Sequence, residues 1–252
     1  MNARSQNWRK LAAEFVGTAL LLCAIVGSGI MGERLSGGNT GLALLANSIA
    51  TGAALFALIR GFGPVSGAHF NPAVTLAMAA AGAVPRSAVA PYVLAQCLGA
   101  ILGVWAAHLM FDLPILQISA HARDGVGQWT GEFVATFGLL AVIESGRRHY
   151  PAALPGAVAL YIVGAYWFTS STSFANPAVT LARSLTNTFS GIAPSGIVAF
   201  VLAESVGAIA AVLLMRWLNG EPLAAQGSGK GLALLRPELL RRLFRYEFVR
   251  RG

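Results

Sequence analysis

The chain has 252 residues, of which 56% are hydrophobic and 11% charged, with a net charge of +8 and a mean hydropathy of +0.64. A water-soluble domain carries about a quarter charged residues, so this composition excludes an ordinary soluble protein and indicates a chain built for lipid. The positive charge does not read as a nucleic-acid footprint, because its distribution along the chain follows the sides of a membrane.

Apolar runs of roughly twenty residues, the length that crosses a ~30 Å hydrocarbon core, occur six times, near 11–31, 41–60, 87–111, 129–146, 153–171 and 196–218. The first follows Arg4, Arg9 and Lys10 in the manner of a signal peptide, but its apolar run is too long for one and five more follow. Cys23 and Cys97 both fall inside spans, with no disulfide framework and no metal spacing, and read as packing residues. If the N-terminus is cytoplasmic, fifteen of the eighteen Lys and Arg fall on that side and only Arg34, Arg123 and Arg183 outside. This is the positive-inside bias, and it predicts that both termini are cytoplasmic.

Between the second and third runs stands AHFNPAVTLAMA, 68–79, and between the fifth and sixth SFANPAVTLARS, 173–184. A seven-residue identity repeated inside a chain of this length is not expected by chance, and it extends further. EFVGT at 14–18 matches EFVAT at 132–136, and YVLAQCLGA at 92–100 matches FVLAESVGA at 200–208. The chain therefore divides into two halves, 1–118 and 119–219, followed by a segment 220–252. Each half has three spans, an odd number, so the second half enters the membrane from the opposite side. Inverted repeats of this kind place a substrate path at their interface, near the midplane.

Each repeated segment predicts an abrupt helix start, because Asn71 and Asn176 are preferred N-caps and Pro72 and Pro177 are preferred at the first helical position. Ala73 and Ala178 complete the two motifs. The helices that follow, 72–81 and 177–184, are too short to span and are predicted to be re-entrant half-helices. The irregular stretches before them, GPVSGAHF and TSSTSF, survive at membrane depth only where protein buries them or water reaches them. Two half-helices entering from opposite faces bring their positive N-terminal ends together at the midplane and oppose cations there. The cap geometry leaves both Asn amide groups free to donate to a passing oxygen.

Two Asn-Pro-Ala motifs in inverted three-helix repeats, an EFVGT-like stretch opening each half, and SGAHFNPAVT around the first motif together resemble the aquaporin and aquaglyceroporin family, the major intrinsic proteins. The resemblance covers about residues 8–218. It implies an all-α membrane fold with six spanning helices and two half-helices, homotetramers with a pore in each protomer, and passive flux without a cofactor. It implies that Glu14 and Glu132 accept hydrogen bonds from the re-entrant loops, a role that suits carboxylates at membrane depth. Membrane lipid and small neutral solutes are the implied partners, nucleic acid is not, and the implied location is the inner membrane of a bacterium.

One departure from the family stands out. An Arg usually occupies the narrowest outer point three residues after the second Asn, and this chain has Val179 there. Ungapped counting places the other filter positions at Thr51, Gly164 and Ser173. Four small or medium residues predict a wide, weakly charged filter. Such a pore resembles bacterial members with Val in place of the filter Arg, which are associated with uncharged metalloid hydroxides such as arsenite. Arg183 lies four residues beyond Val179 on the same helix face and has two readings. It is a displaced filter Arg in an outer vestibule, or an Arg that neutralises the half-helix C-terminus or reaches the headgroups; the equivalent residue in the first half is Met78.

His69, two residues before Asn71, either lines the inner mouth or packs within its loop. Phe70 and Phe174 read as interface packing, and His108, His121 and His149 lack metal-ligand spacing. Beyond Glu221, PLAAQGSGKG reads as a linker. RPELLRRLFRYEFVRR then predicts a basic amphipathic helix with Leu239, Leu240, Leu243, Phe244 and Phe248 on one face, suited to an anionic leaflet or to a partner protein. Three functional classes are compatible with a chain of this kind. A passive channel is favoured, a secondary transporter would need an ion-coupling group at the midplane, and a nonconducting scaffold would have no use for two Asn donors there. No enzyme signature is present in the sequence.

Overall fold

The computed structural model describes residues 3–220, and within them every regular element is a helix. Helix α1 runs Ala3–Leu35 and α2 Thr40–Ser66, followed by the short α3, Pro72–Ala80. A 3-10 turn, Arg86–Ala88, leads into α4, Val89–Met110. The second half repeats the plan with α5 Val126–His149, α6 Leu154–Phe168, the short α7 Pro177–Arg183, a 3-10 turn Pro194–Gly196, and α8 Ile197–Leu218. The segment read as a linker and amphipathic helix lies outside the described residues.

Five helices, α1, α2, α4, α5 and α8, are long and apolar enough to cross a membrane, the fourth and eighth counted with their 3-10 turns. The protein is a multi-pass membrane protein. The run read at 153–171 differs from expectation, since α6 is helical over only 15 residues, about 22 Å at 1.5 Å per residue. The helix stops because Thr169 turns extended (φ −108°, ψ 140°). Its Oγ1 donates back to the Ala165 carbonyl at 2.7 Å, the local competition by which hydroxyl side chains end helices. A second difference concerns 63–66, expected to be irregular. The α2 helix continues through Pro64 to Ser66 and ends at Gly67, whose φ of +94° a side chain rarely tolerates and whose N–H closes on the Gly63 carbonyl at 3.0 Å.

The two halves pack by the same rule. Helix α1 lies against α4, and α5 against α8, closely enough that backbones meet. A Cβ on Gly99 would collide with the Phe15 carbonyl oxygen, one on Gly103 with that of Ala19, and one on Gly207 with that of Phe133. Gly99 and Gly207 are equivalent in the repeat, so the close crossing belongs to the duplicated unit. In lipid, where apolar surface gives little drive to associate, such small-residue contacts carry helix pairing. Many large apolar side chains on the outer faces remain exposed, including Leu94, Leu160, Leu202 and Ile209, as lipid contact requires.

The crossing makes a direct prediction. Gly207→Val should separate α5 from α8 and lower stability by about 1–3 kcal/mol or more, the usual cost of overpacking. Gly61→Ala, where a Cβ meets nothing within 4 Å, should leave the thermal unfolding midpoint in detergent unchanged; equal midpoints for the two variants would refute the close-packed crossing.

Candidate functional site

The site is built where the two short helices begin. Asn71 caps α3, its Oδ1 accepting from the N–H groups of Ala73 (2.8 Å) and Val74 (3.4 Å). Asn176 caps α7 in the same way, accepting from Ala178 (3.0 Å) and Val179 (3.4 Å). Pro72 and Pro177 occupy the first helical positions. The oxygen of each amide is thereby spent on its own helix.

The amide nitrogens do something the sequence did not disclose. Asn71 Nδ2 donates to the Ala175 carbonyl at 2.7 Å, and Asn176 Nδ2 donates to the Phe70 carbonyl at 2.8 Å. Each half-helix is thus tied to the backbone just before the other. The expectation of free amide groups is corrected, since one N–H of each is engaged in this reciprocal clamp and one remains. Both Asn side chains line the same cavity.

The backbone before each motif is held in an unusual conformation. Ala68 and Phe70 have φ of +50°, and their equivalents Ser173 and Ala175 have +53° and +49°. For residues with a Cβ this costs about 1–2 kcal/mol each. Two buried carboxylates hold the segments in place. Glu14 accepts from His69 N (3.0 Å) and Ser66 Oγ (2.6 Å) on one oxygen, and from Phe70 N and Gln96 Nε2 (2.8 Å each) on the other. Glu132 accepts from Phe174 N (2.8 Å) and Ala175 N (2.7 Å). Hydrogen bonds to a charged acceptor contribute about 1.5–3 kcal/mol each, so the two backbone bonds per loop work against the strain of the left-handed residues, two before Asn71 and, with Thr172 at φ +62°, three before Asn176.

The third spans complete the brackets with different chemistry. Gln96 bridges Glu14 and Thr75 Oγ1, the latter at 2.9 Å. Glu204, its equivalent, accepts from Asn176 N (3.1 Å) and Thr180 Oγ1 (2.6 Å) through Oε1, while its buried Oε2 has no hydrogen-bond donor among the described residues.

The cavity that these segments line extends from Thr51, Tyr166, Ser173, Val179 and Arg183 at one end, past both Asn residues, to Met78, Val158, Leu154 and Arg147 at the other. Thr51, Ser173 and Val179 therefore all reach it. Gly164 does not: a Cβ there would approach the Phe168 ring at 3.7 Å. The α6 residues on the cavity are Leu154, Val158, Ile162 and Tyr166, a row at four-residue spacing. Gly164 stands about 200° from Ile162 around the helix. Tyr166 reaches the cavity from this helix and donates its hydroxyl to Thr51 Oγ1 at 3.2 Å. Sequence counting missed it because counting back from Asn176 fixes a number of residues and not a helix phase.

Arg183 is 2% exposed, which excludes the headgroup reading. Its Nε donates to the Ser190 carbonyl and its guanidinium carbon lies 3.5 Å from the Phe174 ring centroid. Phe174 packs edge-on against Phe200, and Phe70 likewise against Phe62. Arg183 therefore places a buried cation on the cavity wall. His69 both lines the cavity and packs, its Nδ1 3.1 Å from Thr75 Oγ1 and its ring 5.5 Å from Tyr92.

The carboxylate brackets can be tested on their own. Glu132→Gln preserves size but can turn only one oxygen to the two N–H donors, so it should lower stability by about 2 kcal/mol or more, read as a fall in the unfolding midpoint in detergent. An unchanged midpoint would mean that the loop does not depend on this carboxylate.

The family model for the major intrinsic proteins matches residues 1–170. The chain is 57% identical over 210 residues to aquaglyceroporin AqpS of Rhizobium meliloti (strain 1021), covering 83% of this chain and 90% of that protein. It is 30% identical over 243 residues to aquaporin Z of Bradyrhizobium diazoefficiens, covering 88% and 98%. Its fold is similar to the X-ray structure of the aquaglyceroporin from Plasmodium falciparum, with a TM-score of 0.67 at 19% identity over 82% of this chain and 95% of that one. Two capped half-helices clamped tip to tip within duplicated helix triplets, a matching family model and a relative at this identity establish that the chain belongs to the major intrinsic protein family.

Proposed function

We propose that the protein is a passive channel for small neutral hydroxylated solutes, namely water and glycerol-like polyols. Uncharged metalloid hydroxides such as arsenite, neutral and polyol-like near pH 7, fall in the same solute class. The observation that carries this reading is the single cavity shared by both clamped Asn tips. One N–H of each Asn is left to donate to a solute oxygen, and the backbone before each motif is polar and held rigid. The positive ends of the half-helices oppose cations at the same level.

In this reading Thr51, Tyr166, Ser173 and Val179 surround the constriction. Glu14 and Glu132 support the loops and touch no solute. The protein works as a homotetramer in a bacterial inner membrane, with both termini cytoplasmic, and needs no cofactor. The expected size class follows from Val179, a short apolar side chain that leaves room beside the Asn tips.

Glu204, whose buried Oε2 has no hydrogen-bond donor among the described residues, is the one observation that favours a secondary transporter, since a carboxylate near the midplane can couple an ion to transport. Uptake by proteoliposomes with and without an imposed pH or sodium gradient separates the two. Glycerol should equilibrate and never exceed its external concentration; accumulation above it would sink the channel reading.

Val179→Arg introduces a long cation beside Ser173 and should narrow the pore. Stopped-flow swelling should show glycerol and metalloid hydroxide flux falling at least several-fold while water flux falls much less. Flux equal to the parent's at equal protein density would show that Val179 does not line the constriction.

A further inference from the structure

The brackets around the two half-helices differ at one position, and the difference changes what can donate. In the first half Gln96 Nε2 donates to Glu14 Oε2 at 2.8 Å, an amide hydrogen given to a carboxylate that already accepts from His69 N and Phe70 N. In the second half Glu204 stands where Gln96 does, and Glu132 where Glu14 does. Glu132 accepts from Phe174 N on one oxygen and from Ala175 N on the other, and Glu204 Oε1 accepts from Asn176 N and Thr180 Oγ1. The backbone N–H groups of Phe174, Ala175 and Asn176, consecutive in the chain, are thus divided between two carboxyls. The remaining oxygen, Glu204 Oε2, has no donor opposite it among the described residues, and the side chain that Glu204 meets at hydrogen-bonding range is Glu132. Both carboxyls are fully buried, at 0% exposure.

Two carboxylates that close, with no water to screen them, cannot both stay ionised. A bond between them requires a proton, since an ionised carboxyl only accepts. The charged neighbours decide which of the two keeps it. Arg183, from α7, and Arg123, before α5, both act electrostatically on Glu132. Helix α3 and the 3-10 turn before α8, which also pack on α8, contribute no titratable side chain, and the other charged residue of α8, Arg216, lies in its last turn. With two N–H donors and the guanidinium groups on the side of Glu132, and no donor at Glu204 Oε2, the charge rests on Glu132 and the proton on Glu204. Neither carboxyl is among the residues that line the cavity.

We propose that Glu204 is a protonated carboxylic acid whose O–H donates to Glu132, reproducing in the second half the bond that the Gln96 amide makes in the first, and that this held proton positions Asn176. Glu204 is a positioning residue. It touches no solute, but its Oε1 holds the N–H of the residue whose side chain caps α7 and clamps onto the Phe70 carbonyl. Without the proton two negative charges would face each other in a dry site, and Glu204 would move away and release Asn176 and Thr180. The same assignment separates Glu204 from ion coupling, because its proton is enclosed in the bracket and not presented to the cavity. The proton assignment goes beyond the channel reading and does not depend on it; its effect on flux rests on that reading.

Infrared spectra of the parent and of Glu204→Gln in detergent at neutral pH test the proton directly. The parent should show the C=O band of a buried carboxylic acid, and Glu204→Gln should lack it. In that variant the amide donates to Glu132 as Gln96 does to Glu14, and its oxygen still accepts from Asn176 N, so it should keep the parent's unfolding midpoint and its glycerol flux in stopped-flow swelling of proteoliposomes. Glu204→Leu neither donates nor accepts, and should lose glycerol and water flux several-fold at equal protein density and unfold at a lower temperature. A band absent from the parent, or unchanged in Glu204→Gln, overturns the shared proton; parental flux in Glu204→Leu overturns the positioning role. If Glu204→Leu does not assemble, a lowered midpoint or flux in Glu204→Gln overturns the proposal, because the isosteric amide then fails to replace the acid. A parent that passes no neutral solute defeats the channel reading alone, and the band comparison still decides the proton.

Discussion

Everything at the centre of this molecule depends on one reciprocal pair of hydrogen bonds, from the Asn71 amide to the Ala175 carbonyl and from the Asn176 amide to the Phe70 carbonyl. Two short helices that start in mid-membrane have no reason of their own to stay there, because isolated helices of this length are unstable. Each is held by the other. The bond reaches across from a cap to a carbonyl that the left-handed φ of the same residue, Phe70 or Ala175, has turned outward from its own chain. The cap, the strained backbone and the clamp are therefore one device, and loss of any one leaves the other two unsupported.

The outer helices exist to make that device affordable in lipid. Backbone at membrane depth must find partners inside the protein, and Glu14 and Glu132 supply them from the first helix of each half. They can do so only because α1 closes on α4 and α5 on α8 at glycine contacts, which bring Gln96 and Glu204 up to the same brackets. Packing and polar satisfaction are thus linked, since a bulkier residue at Gly99 or Gly207 would move the bracket as well as the helix.

How much of this the sequence disclosed follows from where each feature is encoded. The half-helices were legible to within a residue because Asn-Pro is a local signal, and the inversion was legible because the repeat is long. The clamp was not, since it joins residues 104 and 106 positions apart and uses an atom whose target only the fold reveals. Gly164 was misplaced for a related reason. A count of residues between a helix and a motif says nothing of where the helix ends, and here the Thr169 hydroxyl ends α6 early and Tyr166 takes the cavity face. The short length of α6 was hidden in the same way, because apolar composition continues past the point where hydrogen bonding turns the chain.

The two halves show how a duplicated frame permits divergence at the working positions. Where the frame bears load the pairs are alike: Asn71 with Asn176, Glu14 with Glu132, Thr75 with Thr180. Two of the pairs that differ alter charge or polarity, Gln96 against Glu204 and Met78 against Arg183. Gln96 donates through its amide to both Glu14 and Thr75, whereas Glu204 accepts from the Asn176 N–H and the Thr180 hydroxyl. Met78 and Arg183 both lie on the cavity, at equivalent places in opposite halves. The duplicated frame thus carries an apolar side chain on the cavity in one half and a buried cation at the equivalent place in the other, so symmetry of the scaffold does not extend to the chemistry of the cavity wall.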